Sequence, residues 1–130
     1  MLLNEISTQQ LVKEAEEVAK ELAKRGAFGR EGNTKLTTQL RKIYDYLLKI
    51  KREVEKGSSD EKIKEKLYLI RPKIAYAVSR SKERKALGLK PLQEKMEPWI
   101  HEFREPKRDL EKLIQFMESV ISFYKYETSK

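Results

Sequence analysis

The chain contains no cysteine. Disulfide staples, thiolate metal ligands and thiol nucleophiles are therefore excluded. Histidine occurs once, as His101, so there is no second imidazole for a metal site or a catalytic relay. No stretch approaches the roughly 18 consecutive apolar residues of a membrane span. The start, Met1-Leu2-Leu3-Asn4-Glu5, has no basic region and no apolar run behind it, so no signal peptide is expected and the chain reads as soluble and cytoplasmic. Acidic residues are scarce in one segment only. Residues 35–90 hold 17 Lys and Arg against 7 Asp and Glu, a balance of +10, whereas residues 1–34 and 91–130 each balance to −1. The whole-chain charge of +8 is thus gathered in the middle. Evenly spread charge would speak only of solubility. Charge gathered in one segment suggests a face for a polyanion.

The 130 residues read as one domain, 1–130, long enough to bury a core without staples. Their periodicity is helical almost throughout. Leu11, Ala15, Val18 and Leu22 form one stripe, opened by Ser7 with Gln10 as a capping box. Gly26, Gly29 and Gly32 are expected to break that helix into a loop reaching Thr34. A second helix is expected to start near Thr37-Thr38, burying Leu40, Ile43 or Tyr44, Leu47, Ile50 and Val54. Gly57-Ser58-Ser59 ends it, and Ser58 with Glu61 reads as the capping box of a third helix carrying Ile63, Leu67 and Ile70. Pro72 kinks that helix or opens a fourth, which runs past Arg80 with Gly88 as its stop. Pro91 opens a fifth, divided by Pro98, with Met96, Trp99, Ile100 and Phe103 on its apolar side. Pro106 starts the last helix, with Leu110, Leu113, Met117, Val120 or Ile121, and Tyr124 as its stripe. No strand-like alternation appears. The reading is an all-α bundle of five to six helices.

Enzymatic chemistry finds little to work with. His101 lies between Trp99 and Phe103, where a half-buried or surface role is commoner than catalysis. A helical ribonuclease with four to six residues between its Arg and its His would need Arg at 94, 95 or 96, and those positions hold Glu94, Lys95 and Met96. No glycine-rich loop precedes a Lys-Ser/Thr pair. Neighbouring acids such as Glu16 and Glu17 point to different sides of a helix. No catalytic group, metal site or cofactor is expected.

Binding chemistry is better supplied. Lys35, Arg41 and Lys42 surround the expected start of the second helix, where free N–H groups and the dipole attract phosphate. Lys82, Arg84 and Lys85 follow Arg80 with only Glu83 to offset them. Lys62, Lys64 and Lys66 alternate with Glu61 and Glu65 and read as a solvated face. Tyr44, Tyr76 and Tyr124 fall on apolar stripes and are assigned to the core. Tyr46 and Tyr68 lie off the strongest stripes.

Three segments then carry a resemblance. Thr37-Thr38-Gln39-Leu40-Arg41, Pro72-Lys73-Ile74-Ala75-Tyr76-Ala77-Val78-Ser79-Arg80 and Phe116-Met117-Glu118-Ser119-Val120-Ile121-Ser122-Phe123-Tyr124-Lys125 are similar, in order and spacing, to motifs of the small subunit of the type III-A CRISPR effector, the Csm-type interference complex. The chain departs from the family pattern in having one residue fewer at the Thr-Thr segment, and Phe123 and Tyr124 where Tyr and His are usual. The resemblance implies a non-catalytic helical bundle acting in antiviral defence. It implies copies that self-associate, stacked or as a dimer, beside the other subunits, and that hold target RNA along the guide RNA. By motif it nominates Arg41, Lys73 and Arg80 as RNA-binding. Lys35, Lys42, Lys82, Arg84 and Lys85 rest on the charge argument alone. The rival reading is a helical scaffold or adaptor whose basic face meets an acidic protein. No membrane partner is expected.

Overall fold

The computed structural model describes residues 2–26, 29–81 and 88–129, those of them from 25 to 33 as backbone only. Among these residues all regular structure is helical. A 3-10 turn, Leu3–Glu5, precedes α1 (Thr8–Glu21), and a π-helical turn, Leu22–Gly26, follows it. Then come α2 (Gly29–Glu55), α3 (Asp60–Tyr68), α4 (Ile70–Ser81), α5 (Lys90–Met96) and α6 (Pro106–Thr128). The architecture is the all-α bundle that the apolar spacing predicts.

The last helix is the spine. Leu110, Leu113, Phe116, Met117, Val120 and Tyr124 recur at three- and four-residue steps, so one side of α6 is apolar for most of its length and is buried. Helices α1, α2 and α3 lie against it, and α4 packs beside α2. The α1 stripe Leu11, Ala15, Val18 and Leu22 is buried as spaced. Trp99 meets Phe116 edge to face, with ring centroids 4.9 Å apart. The N-terminal turn is tied down by Lys112, whose ammonium donates to the backbone carbonyls of Asn4 and Ile6. At the far end of α4 the buried Ser81 hydroxyl donates to the Val78 carbonyl and accepts from the Leu89 amide at 2.9 Å.

Several boundaries differ from the sequence reading. No loop reaches Thr34: α2 begins at Gly29, so Thr37-Thr38 lie inside the helix rather than at its start. Each helical residue added supplies one more backbone hydrogen bond, and a glycine costs only about 1 kcal/mol against alanine. Ahead of α2 stand the π turn and two residues outside the described set. The cap of α3 is Ser59, not Ser58; its hydroxyl accepts from the Lys62 amide, while Ser58 donates to Glu53. Gly57, at φ 90°, closes α2 with two reverse bonds, its amide to the Val54 carbonyl and the Ser58 amide to the Glu53 carbonyl. Helix α4 starts at Ile70, so Pro72 sits in the first turn, where it displaces no intrahelical hydrogen bond. Gly88, at φ 60°, stands just ahead of α5.

Candidate nucleic-acid interface

Helix α4 has two faces. Ile70, Ile74, Ala77, Val78 and Ser81 are buried. Lys73, Tyr76 and Arg80, with Leu69 one residue ahead of the helix, stand four, three and four residues apart and form a second stripe that is exposed along its length. On α2, Ile43 and the mostly buried Gln39 turn towards α4, and Lys42 stands exposed beside them. The two helices enclose an open groove of about 620 Å³. Ile43, Leu69, Pro72 and Ala77 give it an apolar floor; Lys42 reaches it from one side, Lys73 and Tyr76 from the other. Leu69 is 53% exposed and Tyr76 62%. Both line the same groove, so they form an exposed apolar patch, which is more informative than a single exposed side chain.

Lys73 is held in place. Its ammonium lies 4.5 Å from the centre of the Tyr46 ring. That ring is fixed in turn, because the Tyr46 hydroxyl donates to the Lys66 carbonyl at 2.7 Å. Burial pushes the Tyr46 phenol above its ordinary pKa, so it remains a neutral donor.

Several cations off this face pair with carboxylates. Arg71 pairs with Glu97 at 2.9 Å, Lys95 with Glu14 at 3.7 Å, and Lys107 with Asp60 at 3.6 Å. Lys66 pairs with Glu53 at 3.6 Å and is the main reason the Glu53 carboxyl is held below the usual range. Among the described residues, no carboxylate comes within ion-pair distance of Arg41, Lys42, Lys73 or Arg80, and Arg41, Lys42 and Arg80 are exposed. Lys35 is half-buried and engaged, and so does not join that set.

The structure therefore brings Lys42 and Lys73 to one groove, with Arg80 further along the Lys73 stripe and Arg41 next to Lys42 on α2. It does not provide the helix start expected around Lys35, Arg41 and Lys42. With Thr37-Thr38 inside α2, the nearby amides are used within the helix and cannot receive a phosphate. Lys82, Arg84 and Lys85 lie outside the described residues. Tyr76 corrects the core assignment, for it is exposed: the buried stripe of α4 passes through Ile74, Ala77 and Val78, and Tyr76 falls on the other side. Tyr124 is buried and its phenol pushed up to about 12; Tyr44 is half-buried against the core. Tyr68 is occupied by Phe103, edge to face at 5.1 Å. The groove itself was missed by sequence reasoning. Its available signal was the Leu69–Lys73–Tyr76–Arg80 spacing, which repeats the helical period one residue out of step with Ile70, Ile74 and Ala77.

His101 stands at the surface with Nε2 3.0 Å from a Glu97 carboxylate oxygen. Among the described residues no group of His, Asp or Glu converges as metal ligands, and no helix is long and apolar enough to cross a membrane.

These features define a small helical protein with a basic, aromatic-edged groove on α2 and α4. The family model described as Csm2 Type III-A matches residues 5–130, nearly the whole chain. The chain belongs to that family, and so to the subunits of the type III-A CRISPR complex. No curated protein and no solved structure matches it.

Proposed function

We propose that this chain is a non-catalytic small subunit that binds RNA through the α2–α4 face and so positions target RNA along the guide within the type III-A complex. The observation that carries the reading is that Lys42 and Lys73, neither with a carboxylate partner among the described residues, line one exposed groove between two adjacent helices. Arg41 and Arg80, exposed and likewise without carboxylate partners there, stand on the same two helices. A phosphate chain supplies the missing negative charge without reading sequence. Helix α2 contributes through side chains rather than through its N-terminus. Lys35, Lys82, Arg84 and Lys85 extend the basic segment on charge alone. Stacked or paired copies of the subunit would gain by avidity what one short face lacks.

The test is a salt titration of RNA binding by the full chain, compared with variants carrying Lys42→Gln, Lys73→Gln or Arg80→Gln. Affinity should fall linearly with salt on a log–log plot. Each substitution should weaken all RNA sequences alike and reduce the slope by roughly 0.7–0.9 for every phosphate that is no longer neutralised. Affinity that ignores salt, or an acidic protein that displaces RNA while RNA alone binds without slope, would favour the scaffold reading.

A further inference from the structure

We propose that the α2–α4 groove is a stacking site for one unpaired RNA base, with Tyr76 as its platform and Lys42 and Lys73 on the flanking phosphates. The proposal deepens the RNA-binding reading and rests on it. Phosphate binding needs only cations, and cations do not explain why Tyr76 and Leu69 are left in water. Both stand on the exposed stripe with Lys73 and Arg80, and Tyr76 edges a groove whose floor includes Ile43 and Pro72.

An aromatic ring bordered by cations without carboxylate partners, over an apolar floor, matches the chemistry of a nucleotide. The base has an apolar face that every sequence shares, and the phosphates on either side of it carry the charge. An acidic peptide or an anionic lipid also joins apolar surface to negative charge, but the flat Tyr76 ring at the groove's edge is best met by the planar face of a base. The occupant must be unpaired, because bases inside an A-form duplex are stacked on one another and offer no free face. Tyr46 acts as a positioning residue here. Its ring holds the Lys73 ammonium at 4.5 Å, so the cation is in place before RNA arrives.

The experiment measures equilibrium binding of the full chain to a single-stranded oligouridine, an oligoadenosine and a blunt RNA duplex, each over a range of salt. Parent, Tyr76→Ala, Tyr76→Phe and Lys73→Gln chains are compared, with thermal unfolding run on each. Because Tyr76 is exposed, its removal should leave the melting temperature unchanged. Tyr76→Ala should lose roughly 5- to 150-fold in affinity for both single strands, the loss expected for one stacked base. Its salt slope and its duplex affinity should stay with the parent's, and Tyr76→Phe should restore binding. Lys73→Gln should lower affinity for single strand and duplex alike, with a shallower slope. If Tyr76→Ala binds every RNA as the parent does while Lys73→Gln does not, the base site is wrong and the charge reading survives. If neither variant changes RNA binding, both fall.

Discussion

Asp109 is a charged group buried on α6, away from the α2–α4 groove. It is 1% exposed on the first turn of α6. One carboxylate oxygen accepts from the Glu105 amide at 3.2 Å; the other is buried with no hydrogen-bond partner among the described residues. Burial raises its pKa above 3.8, more than the amide bonds and nearby Lys112 lower it. A raised carboxyl binds its proton more tightly folded than unfolded. Its contribution to stability is therefore present at low pH and declines as pH rises from about 3.8 through the folded value. Asp109→Asn keeps an acceptor for the Glu105 amide and removes the charge. Urea unfolding at a series of pH values should find the variant at least as stable as the parent near neutral pH, with the decline flattened. A variant that is weaker at neutral pH with the same decline would show that the ionised carboxylate is favourable after all.

At the scale of the element, what was legible was whatever repeats. The stripes of α1 and α6 could be assigned from spacing, because a helix that buries one side must repeat its apolar residues every three or four positions. Met117 on α6 and Leu67 on α3 are buried as that rule requires, whereas Trp99, buried too, stands in the turns after α5. Boundaries were less legible, since they turn on single bonds. Ser58 and Ser59 are alike as caps, and only the backbone path decides that Ser59 reaches the Lys62 amide. The start of α2 was obscured by glycines whose individual cost is too small to stop a helix. For the candidate site, charge pointed to residues 35–90, but the helix start expected there is absent: Arg41 and Lys42 are side chains inside α2, and Tyr76 was hidden because Ala75 and Ala77 beside it suit either face. The α2–α3 turn offers a test of how much a boundary is worth. Ser59→Ala should lose about 1 kcal/mol through the missing cap. Gly57→Ala should lose about 1 kcal/mol through the positive φ alone, since no atom lies within 4 Å of the added methyl. Chemical denaturation measures both. A Gly57→Ala chain as stable as the parent would mean that the turn relaxes out of the left-handed region.

At the scale of the molecule, the cations of the α2–α4 face have an electrostatic consequence for folding itself. The chain carries +8 overall, and +10 of charge sits between residues 35 and 90. Like charges on two packed helices repel, and without carboxylate partners that repulsion is relieved only by dissolved ions or by a bound polyanion. A face kept for stability would be paired, as Lys66 is with Glu53 and Arg71 with Glu97. A face kept for RNA should make the free chain slightly less stable than it could be. Joint replacement of Arg41, Lys42, Lys73 and Arg80 by Gln should therefore raise the melting temperature at low salt while abolishing most RNA affinity. Added salt should stabilise the parent more than the variant, so the two curves converge as screening removes the repulsion. Added RNA should raise the parent's melting temperature and leave the variant's in place, since only a ligand that prefers the folded chain stabilises it. If the fourfold variant instead melts lower than the parent at every salt concentration, these cations hold the bundle together, and their lack of carboxylate partners is no sign of a ligand.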